Sequence, residues 1–167
     1  MSNKKNERIA VVPGSFDPIT VGHLDILKRT ARTFDKVWLA LMINPSKEYF
    51  FDVETRLELA KNAASELENV EVIFDDGMLW ELSLKLDCDA IVKGVRDERD
   101  MAYEAEMALY NKEKCGVETI FLPSLEQNLV SVSSTLVRDF IKNGELDKAE
   151  SVLPRGSIEI IKKRGFI

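Results

Sequence analysis

The chain has 167 residues, of which 45% are hydrophobic and 31% charged, a composition typical of one soluble globular domain. Its formal net charge of −6 argues against nucleic-acid binding, which needs an extended basic surface, but not against one small phosphorylated ligand. Met1–Arg8 lacks the apolar core of a secretory signal, and no apolar run reaches the ~18 residues of a membrane span. We therefore expect a cytoplasmic protein that binds neither nucleic acid nor membranes.

Short β-rich runs alternate with longer helical patterns along the whole chain. In chain order these patterns predict strand Arg8–Val12, helix Gly22–Phe34, strand Val37–Ile43, helix Val53–Leu67, strand Val70–Phe74, helix Met78–Leu86, strand Ala90–Val92, helix Glu98–Lys114, strand Glu118–Leu122, and helices Thr135–Asn143, Leu146–Val152 and Ser157–Arg164. Successive βα units form parallel sheets through right-handed crossovers. The expected fold is therefore α/β, with one doubly wound, five-stranded parallel sheet.

The chain shows no linker or shift in composition that would divide it. We therefore expect a single domain, residues 1–167, with a catalytic core at about 8–143 and C-terminal helices at about 146–164. Ligands of doubly wound folds bind at the carboxyl ends of the strands, so candidate functional residues are sought there.

The segment after the first predicted strand, Val12–His23, reads VPGSFDPITVGH. Pro13-Gly14 predicts a turn that lets the backbone approach a ligand closely. Thr20 predicts a cap for the following helix, whose free N–H groups favour an anion. His23, the only histidine, falls in the first turn of that helix. A lone histidine is usually structural, but its position beside an anion site favours a functional role.

Further cations and hydroxyl groups follow other predicted strands. Lys47 ends the sequence NPSK after the second strand, and Lys93–Arg96, KGVR, follows the fourth. Arginine binds phosphate in a bidentate manner, whereas lysine acts as a point charge. Ser131–Thr135 precedes a predicted helix and supplies good N-cap residues. Taken singly, each segment also fits a solvated loop or a simple helix cap.

Taken together, these motifs resemble the nucleotidyltransferase superfamily, whose (H/T)xGH signature corresponds to Thr20–His23. Threonine at its first position, with NPSK, KGVR, Ala102–Asn111 (AYEAEMALYN) and Ser131–Arg138 (SVSSTLVR) in order, is similar to the phosphopantetheine adenylyltransferase family. The resemblance implies a Rossmann-like nucleotidyltransferase fold. It also implies transfer of AMP from ATP to 4′-phosphopantetheine, which yields dephospho-coenzyme A and pyrophosphate.

The resemblance also implies roles for individual residues. It implies that the catalytic residues are His23, Lys47 and Arg96. The implied acceptor site comprises Ser15, Lys47, Leu79 and Lys93. The implied ATP site comprises Ser15, Phe16, His23, Gly94, Val95, Arg96, Glu104, Leu129, Val130, Ser131, Val132, Ser133, Ser134 and Thr135. Many family members have arginine where this chain has Lys93, and an aromatic residue where it has Leu129.

The expected mechanism is in-line attack without a covalent intermediate, because the phosphate nucleophile is already anionic and needs no general base. Mg²⁺ is expected to accompany ATP without metal ligands from the protein, and Cys88 and Cys115 have no metal-binding spacing. A homohexamer and inhibition by coenzyme A are implied by the resemblance alone.

Two alternatives remain open on the sequence. One is a nucleotidyltransferase that uses CTP or another acceptor such as nicotinate mononucleotide, although Thr20 and NPSK argue against it. The other is a nucleotide-binding regulator without catalysis.

Overall fold

A computed structural model describes residues 7–167, except for the side chain of Gln127. Most of the N-terminal segment, in which no secretory signal is expected, lies outside the described residues. The elements are β1 Ile9–Gly14, α1 Val21–Thr33, β2 Lys36–Met42, α2 Val53–Ala64, β3 Val70–Asp75, α3 Leu79–Lys85, β4 Ala90–Val95, α4 Glu98–Cys115, β5 Glu118–Pro123, α5 Gln127–Val130, α6 Ser134–Lys142, α7 Leu146–Ser151 and α8 Ser157–Lys163.

The five strands form one parallel sheet in the order β3-β2-β1-β4-β5. This arrangement confirms the predicted α/β fold. Central strand residues such as Val11, Leu39 and Ile91 are fully buried, as expected for parallel strands that are covered on both faces. The chain first builds the sheet in one direction from β1 and then in the other, so the order reverses between β1 and β4.

At this reversal, β1 and β4 separate. β1 pairs with β2 along its whole length, Ile9 to Gly14, but with β4 only at Ala10 and Val11. Pro13, which has no N–H to donate, lies beyond the part of β1 that pairs with β4. A crevice therefore opens between the carboxyl halves of the two strands, where doubly wound folds bind their ligands.

Two motifs lie at the ends of strands instead of beyond them. Pro13-Gly14, which was predicted to form a turn, pairs with Ala40 and Leu41 of β2. Lys93–Val95, which was predicted to follow the fourth strand, pairs with Phe121–Pro123 of β5, so that only Arg96 follows β4. Both predictions were wrong because pairing with one neighbouring strand continues after pairing with the other has stopped.

Helix α1 packs closely against β4. A Cβ atom added to Gly94 would lie 2.9 Å from Cγ1 of Ile26, a distance that real Cβ contacts do not tolerate. Glycine at this position thus lets α1, which carries His23, approach the strand that carries Lys93.

The C-terminal helices α7 and α8 are present as predicted. Leu153, Ile158 and Ile161 are buried in the core cluster that also contains residues of α2, and Asn62 Nδ2 donates to the carbonyl of Arg155 at 2.8 Å. After α8, the ring of Phe166 packs against Phe50 and Phe51, with ring centroids 6.1 and 4.8 Å away.

Within residues 7–167, both Cys88 and Cys115 are free thiols. In this part of the chain no helix is long and apolar enough to cross a membrane, and no group of three or more His, Cys, Asp or Glu residues is placed to hold a metal ion. Helix α5 was not predicted, because four residues are too few to show helical periodicity.

Replacement of Gly94 by alanine tests the close packing of α1 on β4. We expect Gly94→Ala to lower the free energy of unfolding by about 1–3 kcal/mol, because the added methyl group overpacks the contact with Ile26. Urea denaturation followed by far-UV circular dichroism measures the change. Gly22→Ala in α1 is the matched control, since its Cβ would meet nothing closer than 3.5 Å. Equal effects of the two substitutions would contradict the packing argument.

Candidate active site

A cavity of about 950 Å³ opens at the crevice between β1 and β4, at the upper end of the size range of small-molecule sites. Residues from all the motifs line it: Ser15, Phe16, His23, Lys47, Leu79, Lys93, Gly94, Val95, Arg96, Glu104, Leu129, Val132, Ser133, Ser134 and Thr135. Val130 and Ser131 are exposed and do not line the cavity. The structure thus brings together all but two of the expected site residues, while their contacts with ligands remain predictions.

His23 is held by a reciprocal cap at the start of α1. The backbone N–H of Thr20 donates to His23 Nδ1 at 3.0 Å, and the N–H of His23 donates to Thr20 Oγ1 at 3.4 Å. The predicted cap at Thr20 is therefore confirmed. A backbone N–H can only donate, so Nδ1 must accept, and the proton of the neutral ring lies on Nε2.

The surroundings of His23 keep the imidazole neutral. Burial of the ring, followed by the positive charges of Arg96 and Lys93, lowers the pKa of His23 to about 4. The ring also makes an edge contact with Phe16, with centroids 5.3 Å apart. Within residues 7–167, Nε2 has no hydrogen-bond partner, so the cavity contains a neutral N–H donor whose orientation is fixed by Thr20.

Two of the cavity's cations are paired with carboxylates of α4. Arg96 Nε donates to Asp100 Oδ2 at 2.9 Å, and Lys93 Nζ lies 3.1 Å from Glu104 Oε1. Glu104 is therefore half-buried and paired, although it lies on a helix whose other side chains are largely exposed. Both pairs orient the cations toward the crevice while leaving guanidinium and ammonium N–H groups available.

Lys47 is exposed at the mouth of the cavity. It lies five residues after β2, in a segment whose turn is closed by Asn44: the Asn44 side chain accepts hydrogen bonds from Ser46 N and Oγ. In the described part of the chain, Lys47 forms no ion pair. Its ammonium group is therefore free to meet an anion that enters the cavity.

The loop after β1 is held by a buried carboxylate to which the sequence analysis assigned no role. Asp17 accepts hydrogen bonds from the backbone N–H groups of Phe50 and Phe51 at 2.8 and 2.9 Å. Arg138 donates to the carbonyl of Asp17 at 2.6 Å and to Thr135 Oγ1 at 2.9 Å. Asp17 and Arg138 thus join three segments that line the cavity.

Sequence reasoning missed this role because the partners of Asp17 lie 33 or more residues away. For Arg138 a signal was present, since it follows Thr135 at helical spacing on α6. The N-cap predicted within Ser131–Thr135 is Ser133, whose Oγ accepts a hydrogen bond from the backbone N–H of Leu136 at 3.1 Å.

A cytidylyltransferase-like family model matches residues 11–140, which is most of the chain. The chain therefore belongs to this family of nucleotidyltransferases.

Two curated relatives show to which group within this family the chain belongs. The phosphopantetheine adenylyltransferase of Caldanaerobacter subterraneus subsp. tengcongensis is 44% identical over 138 residues, which cover 82% of this chain and 86% of the relative. That of Symbiobacterium thermophilum is 46% identical over 131 residues, which cover 78% and 80%. Within the class, the chain is a member of the phosphopantetheine adenylyltransferases, enzymes of coenzyme A biosynthesis, and both the expected family and its adenylyl transfer are confirmed.

The fold is also found in a distant solved structure. The nicotinic acid mononucleotide adenylyltransferase of Plasmodium falciparum, complexed with NaAD, superposes with a TM-score of 0.69 over 95% of this chain and 96% of that chain. Since the two sequences are only 13% identical, this likeness shows the fold alone.

Because His23 is the only histidine, its imidazole C–H signals can be followed by NMR as the pH is lowered. We expect a midpoint near 4, with no titration near the usual value of about 6.5. A midpoint near that usual value would contradict the neutral, desolvated ring.

The same shift predicts a dependence of stability on pH. Between about pH 6.5 and 4 the unfolded chain binds a proton at His23 that the folded chain does not, so the free energy of unfolding falls as the pH falls through this window. His23→Gln, which cannot titrate, should lack this contribution in urea denaturation measured across the same range.

Proposed function

We propose that the cavity binds ATP and 4′-phosphopantetheine together for direct, in-line adenylyl transfer. An oxygen of the acceptor phosphate forms a bond to the α-phosphorus of ATP while the bond from that phosphorus to the bridging α–β oxygen breaks, and pyrophosphate leaves. The observation that carries this proposal is a neutral imidazole donor and three cations around one crevice of a parallel sheet. Such a site fits the reaction of two polyanions.

The chemistry needs little proton transfer from the protein. The second pKa of a phosphate monoester is about 6, so the nucleophile is largely dianionic at neutral pH. The protein's task is to hold the reactants in line and to offset charge at the α-phosphate. We assign the Nε2–H of His23 to a non-bridging α-phosphate oxygen, and Lys47 and Arg96 to the phosphates on either side.

Binding of ATP follows from the elements around the crevice. The N-terminus of α6 supplies free N–H groups, which favour phosphate oxygens. The Thr135 hydroxyl accepts from Arg138 and keeps its own proton for a phosphate oxygen, whereas the Ser134 hydroxyl already donates to the Pro18 carbonyl at 2.8 Å. We place the nucleotide against the backbone of Gly94 and Val95, with Glu104 and Leu129 beside it. Val130 and Ser131 lie away from the cavity, so we give them only the role of shaping this segment.

Binding of the acceptor uses both polar and apolar groups. Ser15, in the loop after β1, offers its hydroxyl to the acceptor phosphate, and Lys47 and Lys93 offer positive charge. Leu79 lines the cavity and also packs against the second apolar core cluster. It is thus placed to contact the uncharged pantetheine arm.

We further propose that Mg²⁺ enters with ATP and neutralises part of the phosphate charge. Three of the carboxylates around the crevice are already engaged: Asp17 by two N–H groups, Asp100 by Arg96 and Glu104 by Lys93. A fourth, Glu48, lies exposed at the mouth and could offer a metal ion only one carboxylate. These residues fit an ion that is held mainly by ATP and water, rather than a protein cage.

We propose that residues 1–167 act as one nucleotidyltransferase domain in the cytoplasm and assemble as a homohexamer. Support comes from large apolar side chains that are exposed on α4, β5 and the segment that follows. Leu109 is 73% exposed, Leu125 72% and Ile120 40%, and exposed apolar side chains are favoured positions for contacts between subunits. We also propose coenzyme A as an inhibitor, because it contains the product dephospho-coenzyme A.

Release of pyrophosphate from ATP and phosphopantetheine tests the proposed reaction. We expect His23→Ala to reduce kcat by about 10²–10³-fold, because it removes one donor to the developing charge. Affinity for ATP, measured by calorimetry, should change by less than about tenfold, equivalent to 1.4 kcal/mol. A wild-type protein that binds both ligands but releases no pyrophosphate would exclude the proposed enzyme.

The choice of acceptor is tested separately with a panel of substrates. Phosphopantetheine and nicotinate mononucleotide are offered with ATP or CTP, and pyrophosphate is followed in each case. We expect turnover with phosphopantetheine and ATP. Turnover restricted to nicotinate mononucleotide would exclude the proposed substrate.

The proposed assembly is tested by analytical ultracentrifugation. Wild type should sediment with six times the chain mass of 18.9 kDa. We expect Leu109→Asp to produce smaller species, because it would bury a charge at the contact between subunits. Lys148→Asp on α7, a helix that carries none of these exposed apolar side chains, serves as the control. A monomeric wild type would refute the hexamer.

A further inference from the structure

Arg56 of α2 carries a positive charge that is buried and forms no direct ion pair. Asp52, one helical turn earlier, interacts with it at longer range: hydrogen bonds from Thr55, followed by the charges of Arg164 and Arg56, lower the pKa of Asp52. The exposed fraction of Arg56 is 1%, and within residues 7–167 no carboxylate lies at ion-pair distance from its guanidinium. Its Nε has no hydrogen-bond partner. Arginine is almost never fully buried unless it is paired, and an unpaired buried charge destabilises a fold. The residue therefore calls for a physical explanation other than core packing.

The two contacts of Arg56 belong to two different loops of the candidate site. Its Nη1 donates to the carbonyl oxygen of Ser15 at 3.0 Å. Its guanidinium carbon lies 3.9 Å from the centre of the Tyr49 ring, a cation–π distance. Ser15 and Tyr49 both line the cavity.

Tyr49 extends the connection to the segment that carries Lys47. The backbone N–H of Asn44 donates to the Tyr49 hydroxyl at 2.7 Å. The Tyr49 hydroxyl in turn lies 3.4 Å from the Asn44 carbonyl, to which it donates. Asn44 also closes the turn that leads to Lys47. One buried guanidinium thus bonds to the Ser15 loop and, through a single aromatic ring, fixes the base of the Lys47 loop.

We propose that Arg56 is a positioning residue for adenylyl transfer. It sets the spacing between the Ser15 loop and the Lys47 loop from behind, since Arg56 does not itself line the cavity. Because charge interactions are weakly screened in a protein interior, its charge also favours a phosphate bound between the two loops. This inference rests on the proposed function, in which both loops contact the acceptor phosphate.

If Arg56 served only to stabilise the fold, a neutral variant would lose stability but not function. A positioning role predicts the opposite. Arg56 lies on the buried face of α2 with Leu59, Ala60 and Ala63. Replacing a buried charge by an apolar side chain of similar length is often neutral or stabilising. Arg56→Met should therefore keep the thermal stability of the wild type, or exceed it, while losing function.

The test compares Arg56→Met, Arg56→Lys and Tyr49→Phe with wild type, in kcat, in KM for each substrate and in thermal unfolding. We expect Arg56→Met to lower kcat/KM for phosphopantetheine by about 10- to 100-fold, as misplaced binding groups do, with a smaller effect on KM for ATP. Arg56→Lys keeps the charge and should recover part of the loss. Tyr49→Phe keeps the ring but not the hydroxyl, and should show a smaller loss.

Val37→Ala is the matched control for loss of stability alone. Val37 is fully buried near the amino end of β2, and the cavity lies at the carboxyl ends of the strands. Its replacement by alanine should lower the unfolding temperature and leave KM unchanged. The proposal is overturned if Arg56→Met retains wild-type kcat and KM, or if its activity falls only in proportion to its stability. Should Arg56→Met fail to fold, Arg56→Lys and Tyr49→Phe decide the same question.

A binding measurement separates failure of this inference from failure of the proposed function. 4′-Phosphopantetheine is titrated calorimetrically, without ATP, into wild type and Arg56→Met, which requires no turnover. Weaker binding by the variant supports the inference even if wild type releases no pyrophosphate. Equal binding, together with unchanged kinetic constants, refutes it.

Discussion

Repulsion between two phosphorylated molecules is the constraint that the rest of this structure addresses. The sheet provides the space for the candidate site: β1 leaves β4 after Val11, and the cavity lies in the opening between them. Helix α1 enters that opening with His23, and β4 ends in it with Lys93 and Arg96. The close approach of α1 at Gly94 keeps these groups within reach of one another.

Neutral and charged donors have different tasks in such a site. Lysine and arginine lower the potential of the whole crevice, whereas an uncharged imidazole adds a directed N–H without a further positive charge to desolvate. The same cations that attract phosphate help to keep His23 unprotonated. The pairing of Lys93 and Arg96 with carboxylates of α4 limits the excess of positive charge when no anion is present.

Local patterns in the sequence were sufficient for the order of most strands and helices along the chain and for caps such as Thr20 and Ser133, whose bonds join residues three apart. They failed where a partner is distant. The ends of β1 and β4 depend on pairing with β2 and β5, and the role of Asp17 depends on Phe50 and Phe51. The spacing of apolar residues in α2 did contain one usable signal. It places Arg56 on the same face of the helix as the residues that are buried.

The contact of Phe166 with Phe50 and Phe51 links the segment after α8 to the loop that begins the crevice. Those two phenylalanines donate their N–H groups to Asp17, so the aromatic cluster lies directly behind that loop. A disturbance in the segment after α8 can therefore reach the crevice through ring packing and two backbone hydrogen bonds, without a change in any residue that lines the cavity.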